Sequence, residues 1–291
     1  MTLPLAWQRP AEPVRAKHGR SPLAERIALS VVVLMVVVAA IGPWIAPYDP
    51  YRVDLSLALN PPSLEHWFGT DVNGRDVFSR ILHGARVTLP ATGLVLAVTL
   101  VIGTAIGTAA ALGGRIVDEV LMRITDIGLA LPSLILALGF AVALGPGLKS
   151  AIIAVILSWW PGYARLVRSV VRETRNSEFV ESAIALGVSR KRLVLKHILP
   201  NSLTPLYIQV TLDVAAVMLV ISGLSFIGVG AQAPSAEWGA MIAAASGNLV
   251  NGWWALLFPG LAIAITAIAS NLAGDWIRVK QDPTLQQGAA K

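Results

Sequence analysis

The feature that most constrains this chain is a series of long stretches without charge. No Asp, Glu, Lys or Arg occurs from Ile27 to Tyr48, from Val87 to Gly114, or from Ile127 to Leu148. A fourth stretch runs from Ser150 to Ala164, and a fifth from Ser202 to Gly230 is interrupted only by Asp213. A sixth run, Trp238 to Gly274, is too long for one span, so Gly252 to Gly274 is assigned to a helix and the earlier part to a loop or shallow re-entrant piece. A hydrocarbon core of about 30 Å takes roughly 20 helical residues, and each stretch can fill it as a helix. Only helices and closed barrels satisfy their backbone groups in lipid. The expectation is an all-α membrane protein of about six transmembrane helices.

Composition agrees: 55% of the 291 residues are hydrophobic and 14% charged, against roughly a quarter charged in an average soluble domain. The net charge of +6 could suggest nucleic acid, but the basic residues fall where topology needs them. Arg9, Arg15, Lys17, Arg20 and Arg26 precede the first span. Arg165, Arg168, Arg172, Arg175, Arg190, Lys191, Arg192 and Lys196 lie between spans four and five, and no Lys or Arg lies between spans five and six. By the positive-inside rule both termini and the four-to-five loop are cytoplasmic. The loop from Asp49 to Arg86 carries four arginines among five acids and is outvoted. No nucleic-acid role is expected. The absence of cysteine excludes disulfides and zinc thiolates, and the first apolar stretch is too long for a cleaved signal peptide.

The chain divides into a cytoplasmic tail (1–25), a first span with an external segment (26–86), a five-helix core (87–276) and a second cytoplasmic tail (277–291). Within the external segment, Val77, Phe78, Ile81, Leu82 and Ala85 repeat at helical spacing, opposite Arg75, Asp76, Ser79, Arg80, His83 and Arg86. Asn73 can cap this segment with Asp76 three residues on. The pattern predicts an amphipathic helix over 74–86 at the membrane surface, either a plain interfacial anchor or an external gate. Gly103 and Gly107 allow close helix approach in span two. Trp253 and Trp254 suit an interfacial belt.

The loop at 172–201 is long enough to fold by itself. Ser177 can cap a helix whose apolar face is Phe179, Val180, Ala183 and Ile184, and Gly187 can end it in the left-handed conformation. Ser189 can cap a second helix through Ile198, and Pro200 should stop it. Both flanks enter the bilayer, which disfavours a DNA-reading pair. Anchoring to anionic lipid and docking of a cytoplasmic partner remain, and a rigid helix pair suits docking better.

Two carboxylates approach membrane depth. Asp126 lies three residues from Arg123, and a local ion pair is expected. Asp213 is two to three turns into span five without a local partner; it either lines a pathway or pairs between helices, with a proton relay a lesser alternative. The histidines are scattered and no metal-ligand spacing occurs. The nearest string to a P-loop, "GPGLKS" at 145–150, lacks Gly-Lys and lies outside. The chain is not expected to be an enzyme or to hold a cofactor.

At 181–201, "ESAIALG", nine residues and "HILPN" resemble the EAA signature of ABC-importer permeases, with Ser182 where Ala is usual and His197 where Ile is frequent. "FGTDVNGRDVFSRILHGAR", "MRITDIGLALPSLILAL", "LSFIGVGAQAPSAEWGAMI" and "NLAGDWIRVKQDP" resemble blocks of the dipeptide/oligopeptide/nickel branch, in its second ("C") permease. The resemblance covers roughly residues 22–285. It implies a type I importer permease fold in a bacterial cytoplasmic membrane. It also implies a heterodimer with a second permease, two P-loop ATPase subunits that carry ATP and Mg, and an external solute-binding protein. It further implies that Glu181, Ser182, Ala183, Gly187, His197, Leu199 and Pro200 belong to the ATPase-coupling element. The cargo would be a peptide or, alternatively, nickel or another small solute. An ion-driven secondary transporter is the rival, but no internal repeat is evident; a non-transporting membrane scaffold is the other.

Overall fold

A computed structural model describes residues 22–281. The tails assigned to 1–25 and 277–291 therefore lie mostly outside the described residues, with Arg9, Arg15, Lys17 and Arg20. Helix α1 spans Pro22–Ile45, α2 Val77–Leu112, α3 Arg115–Leu129, α4 Ser133–Leu144 and α5 Leu148–Arg175. Short helices α6 (Glu178–Ala185), α7 (Arg190–Leu193) and α8 (Leu199–Asn201) lead into α9, Leu203–Phe226. Helix α10 (Trp238–Ala245) precedes α11, Trp253–Gln281. Among the described residues, five helices are long and apolar enough to cross a membrane; α3 and α4, bent by 88° at their junction, make a sixth span if counted together.

The connections gather at two ends. Gly147 donates its amide to the carbonyl of Val229, Arg80 reaches Ser235 and Trp254 reaches Thr70, so segments 46–76, 145–147 and 227–252 meet. At the opposite end Arg190 and Arg175 donate to Leu112 and Ala111, capping the orphan carbonyls at the C-terminus of α2 with cations. The charge pattern makes that end cytoplasmic.

Helices α2 and α5 form the central seam. Apolar surface gains little by leaving lipid for another helix, so close approach of backbones matters most. A Cβ on Gly103 would collide with Tyr163, and one on Gly107 with the Ala164 carbonyl. Either glycine replaced by a larger residue would push α2 off α5.

Several expectations change. The amphipathic segment at 74–86 is not a separate surface helix, because the helix that starts at Val77 runs without a break to Leu112 and this segment is its first turns. Asp76, not Asn73, caps it, its carboxylate accepting from Ser79 N at 2.7 Å. The third span is broken at 130–132, because residues before Pro132 are disfavoured in helical conformation. Pro200 does not stop the chain from winding onward. A single π-turn at Val194–Ile198 precedes it and widens the spiral where the proline ring would otherwise strike a carbonyl. Trp254 is buried rather than in a lipid-facing belt. The run before α11, expected to be a loop or a shallow re-entrant piece, contains the short helix α10.

Candidate functional sites at the two ends and in the bundle

At the cytoplasmic end, α6 stops at Ala185 and Gly187 takes φ +78°. Gly187 N bonds the Ile184 carbonyl and Val188 N the Ala183 carbonyl, the paired arrangement of a Schellman stop. Ser177 and Ser189 occupy the cap positions without side-chain cap bonds; Ser177 Oγ donates instead to the Thr174 carbonyl. Val180, Ala183, Leu193, Ile198 and Leu206 pack on Ala111, Val167 and Val171. One face of the hairpin is thus fastened to the bundle. The other is free: Leu186 is 84% exposed, and Phe179, Ile184 and Leu195 are also exposed. Glu181 and Ser182 are exposed beside them, and Ser182 Oγ donates back to the Glu178 carbonyl. Leu199 and His197 are half-buried and Pro200 exposed. The basic rim is partly consumed: Arg168 and Arg172 both grip Asp118 of α3.

At the external end, the polar face of the 75–86 segment is buried rather than solvated. Arg80, with its side chain 3% exposed, lies 3.5 Å from Asp71. It also donates to the Pro50 carbonyl at 2.8 Å and the Ser235 carbonyl at 3.0 Å. Arg75 holds Asp71 at 2.8 Å, and Asp76 meets His66 at 2.9 Å. Arg86 is exposed and lies over the Trp44 ring, and His83 is half-buried. A buried ion pair is costly unless its remaining donors and acceptors are met; here carbonyls from two other segments meet them.

Glu237, missed in the sequence, is fully buried. It accepts from Gly239 N and Ala240 N at 3.0 and 2.9 Å, and from Ser222 Oγ at 3.2 Å. Thr88 of α2 is also in reach, at 3.4 Å. It caps α10 and joins it to α2 and α9 at once. The signal was an acid immediately before an uncharged helical run, an N-cap pattern.

Within the bundle, Asp126 does not pair with Arg123. Arg165 of α5 reaches it at 2.5 Å, and Arg123 turns to Glu119 at 3.9 Å. Three residues along a helix is a possible contact, but the facing helix supplied a better-placed guanidinium. Asp213 does have partners: Gln209, one turn before it, at 3.0 Å and Trp159 of α5 at 3.3 Å. The i,i+4 spacings Gln209–Asp213 and Trp159–Tyr163 could have revealed the cluster. Among the described residues no group of three His, Asp or Glu could hold a metal ion.

Residues 100–287 match the family model for the binding-protein-dependent transport system inner membrane component. Residues 24–62 match that for the N-terminal transmembrane domain of oligopeptide transport permease C. The chain is 45% identical over 264 residues to the probable D,D-dipeptide transport system permease protein DdpC of Escherichia coli (strain K12), covering 90% of this chain and 88% of that one. It is 39% identical to the nickel transport system permease protein NikC of the same strain, covering 89% and 94%. It is 37% identical to the dipeptide transport system permease protein DppC of Bacillus subtilis (strain 168), covering 97% and 86%. A chain of the MetNI methionine ABC transporter, solved facing inward, has the same fold with TM-score 0.57 at 21% identity, over 69% of this chain and 96% of that chain. These findings set aside the secondary-transporter and scaffold alternatives. The chain belongs to the binding-protein-dependent transport system inner membrane components, as a multi-pass ABC-importer permease of the peptide/nickel branch and not itself an enzyme.

Proposed function

We propose that this permease imports peptides, and that the hairpin at 177–201 couples it to cytoplasmic ATPase subunits. The observation that carries the coupling role is the hairpin's division into a face buried on the bundle and an apolar face left exposed around Leu186. A rigid element of this kind transmits a push directly into α5 and α9, which it joins. The assembly in this reading is a heterodimer with a second permease, two P-loop ATPases that bind ATP and Mg, and an external solute-binding protein. ATP-driven closure of the ATPases would shift the hairpin, tilt α5 and α9, and switch access to the path between the permeases. Gly187 supplies the turn and Glu181 contacts the partner.

Peptide cargo is supported by similarity to permeases whose names specify dipeptides. The specific observation favouring the alternative is the comparable similarity to a nickel permease. The complete transporter in proteoliposomes, loaded with ATP and supplied with binding protein, separates these readings. Uptake of labelled dipeptide without nickel uptake supports the proposal; the reverse assigns nickel. Replacement of Glu181 by Ala or Gly187 by Val should reduce uptake and binding-protein-stimulated ATPase together. Unchanged uptake and ATPase in both variants would remove the coupling role.

A further inference from the structure

A groove of about 300 Å³ opens among α4, α5 and α9, lined by Ser133, Ser158, Trp159, Tyr163, Gln209 and Asp213. Asp213 lies ten residues into α9, about 15 Å along it at 1.5 Å per residue, near the middle of a 24-residue helix. A polar groove at that depth is costly in contact with lipid. Its surroundings also argue against lipid: the Asp126–Arg165 pair on the flanking α3 and α5 is 58% and 55% exposed, so this side of the bundle is one that water or another protein covers. The break between α3 and α4 lies at the groove, between the lining residues Leu129 and Ser133.

The groove's chemistry is specific. Asp213 is its only charged side chain. Each of its oxygens accepts one N–H, from Gln209 and Trp159, and a carboxylate oxygen can accept more than one bond. Gln209 gives its amide nitrogen to Asp213, leaving its carbonyl oxygen as an acceptor. Tyr163 is 1% exposed and lines the groove, its hydroxyl directed at the Asp213 carboxylate and interacting with it. The indole of Trp159 adds an aromatic face, which attracts cations.

We infer that this groove is a cargo subsite on the translocation path, and that it receives a primary ammonium group such as a peptide's amino terminus. An ammonium brings one positive charge and three donors, and the groove offers the two carboxylate oxygens of Asp213 and the Gln209 carbonyl. A divalent cation would ask for several anionic or imidazole ligands, and the groove supplies one. The inference rests on the peptide reading and gives it a recognition element within the permease, separate from the external binding protein.

The chain has no cysteine, so single thiols report on the groove directly. Gly162 sits at its rim, where an added Cβ meets nothing within 4 Å, and Ser133→Cys is nearly isosteric. Each variant is made in the complete transporter, alone and with Asp213→Asn. Modification of this chain is then followed by mass spectrometry with an ammonium-bearing and a sulfonate-bearing methanethiosulfonate. The expected result is faster reaction with the ammonium reagent, a preference that falls about tenfold with Asp213→Asn. Alanyl-alanine should slow the reaction and N-acetyl-alanyl-alanine should not. Thiols unreactive at both positions, or equal charge preference with and without Asp213, overturn the inference. Dipeptide uptake measured in parallel distinguishes the failures. Uptake without charge preference sinks the subsite alone, whereas nickel uptake without dipeptide uptake sinks the peptide reading and the subsite together.

Discussion

The two ends of this permease are built on opposite principles. The external end buries charge: Arg80 and Arg75 are locked with Asp71 and the carbonyls of Pro50 and Ser235, and Asp76 with His66. Trp254 and Glu237 add further long-range bonds. The cytoplasmic end buries aliphatic side chains, leaves large apolar ones exposed, and joins its helices through a glycine stop and a π-turn. Directional bonds to several segments fix one geometry, since partial satisfaction is expensive. Aliphatic packing tolerates small shifts. The contrast suits a machine whose outer rim is a fixed frame and whose inner end takes up a partner's motion.

The contrast can be broken most forcefully at Arg80. Arg80→Ala leaves carbonyls of two segments and part of Asp71 unmet, and should cost about 3–5 kcal/mol, seen as a lowered unfolding midpoint in detergent. A loss within error would mean that the external frame is not held by its buried charges. Next comes Gly187→Val. A β-branched residue at φ +78° costs on the order of 1–3 kcal/mol. Because the strain is confined to the hairpin, limited trypsin cleavage near Arg190 and Lys191 should quicken while the global midpoint holds. A midpoint that fell as far as that of Arg80→Ala would show the hairpin to be part of the frame.

Trp254→Phe keeps the ring and removes the bond to the Thr70 carbonyl, so a loss of about 1 kcal/mol is expected in the same unfolding assay. Last is Leu186→Ala, which should change stability by less than about 0.5 kcal/mol, as exposed sites do. If Leu186 is a docking residue, the same variant should weaken binding of the purified ATPase subunits about tenfold. A stability loss instead would mean that Leu186 belongs to the hairpin's own packing.

How much of this could be read from residues follows from what periodicity encodes. Uncharged length gave the spans, and the Ser-apolar-Gly-Ser pattern at 177–189 gave the hairpin and its left-handed stop. Helical spacing also sorted Arg75, Asp76 and Arg80 onto one face. It could not say what covers that face, and solvent was the default expectation. The cover comes from 50 and 234–235, distant in the chain. The same limit explains Asp126, whose partner Arg165 lies on another helix, and Asp213, whose second partner is Trp159. Pro132 and Pro200 were visible, but one breaks a span while the other is absorbed by a π-turn, a choice set by how neighbouring helices pack.

The measurement that bears most directly on the coupling role compares the two ends in native membranes. A photo-crosslinking amino acid is placed at Leu186 and, separately, at Leu64, which is 96% exposed in the external segment. Adducts identified by mass spectrometry should join position 186 to a P-loop ATPase, and position 64 to no ATPase. Adducts of position 186 with lipid alone, or an ATPase captured at position 64, would contradict docking through the cytoplasmic hairpin.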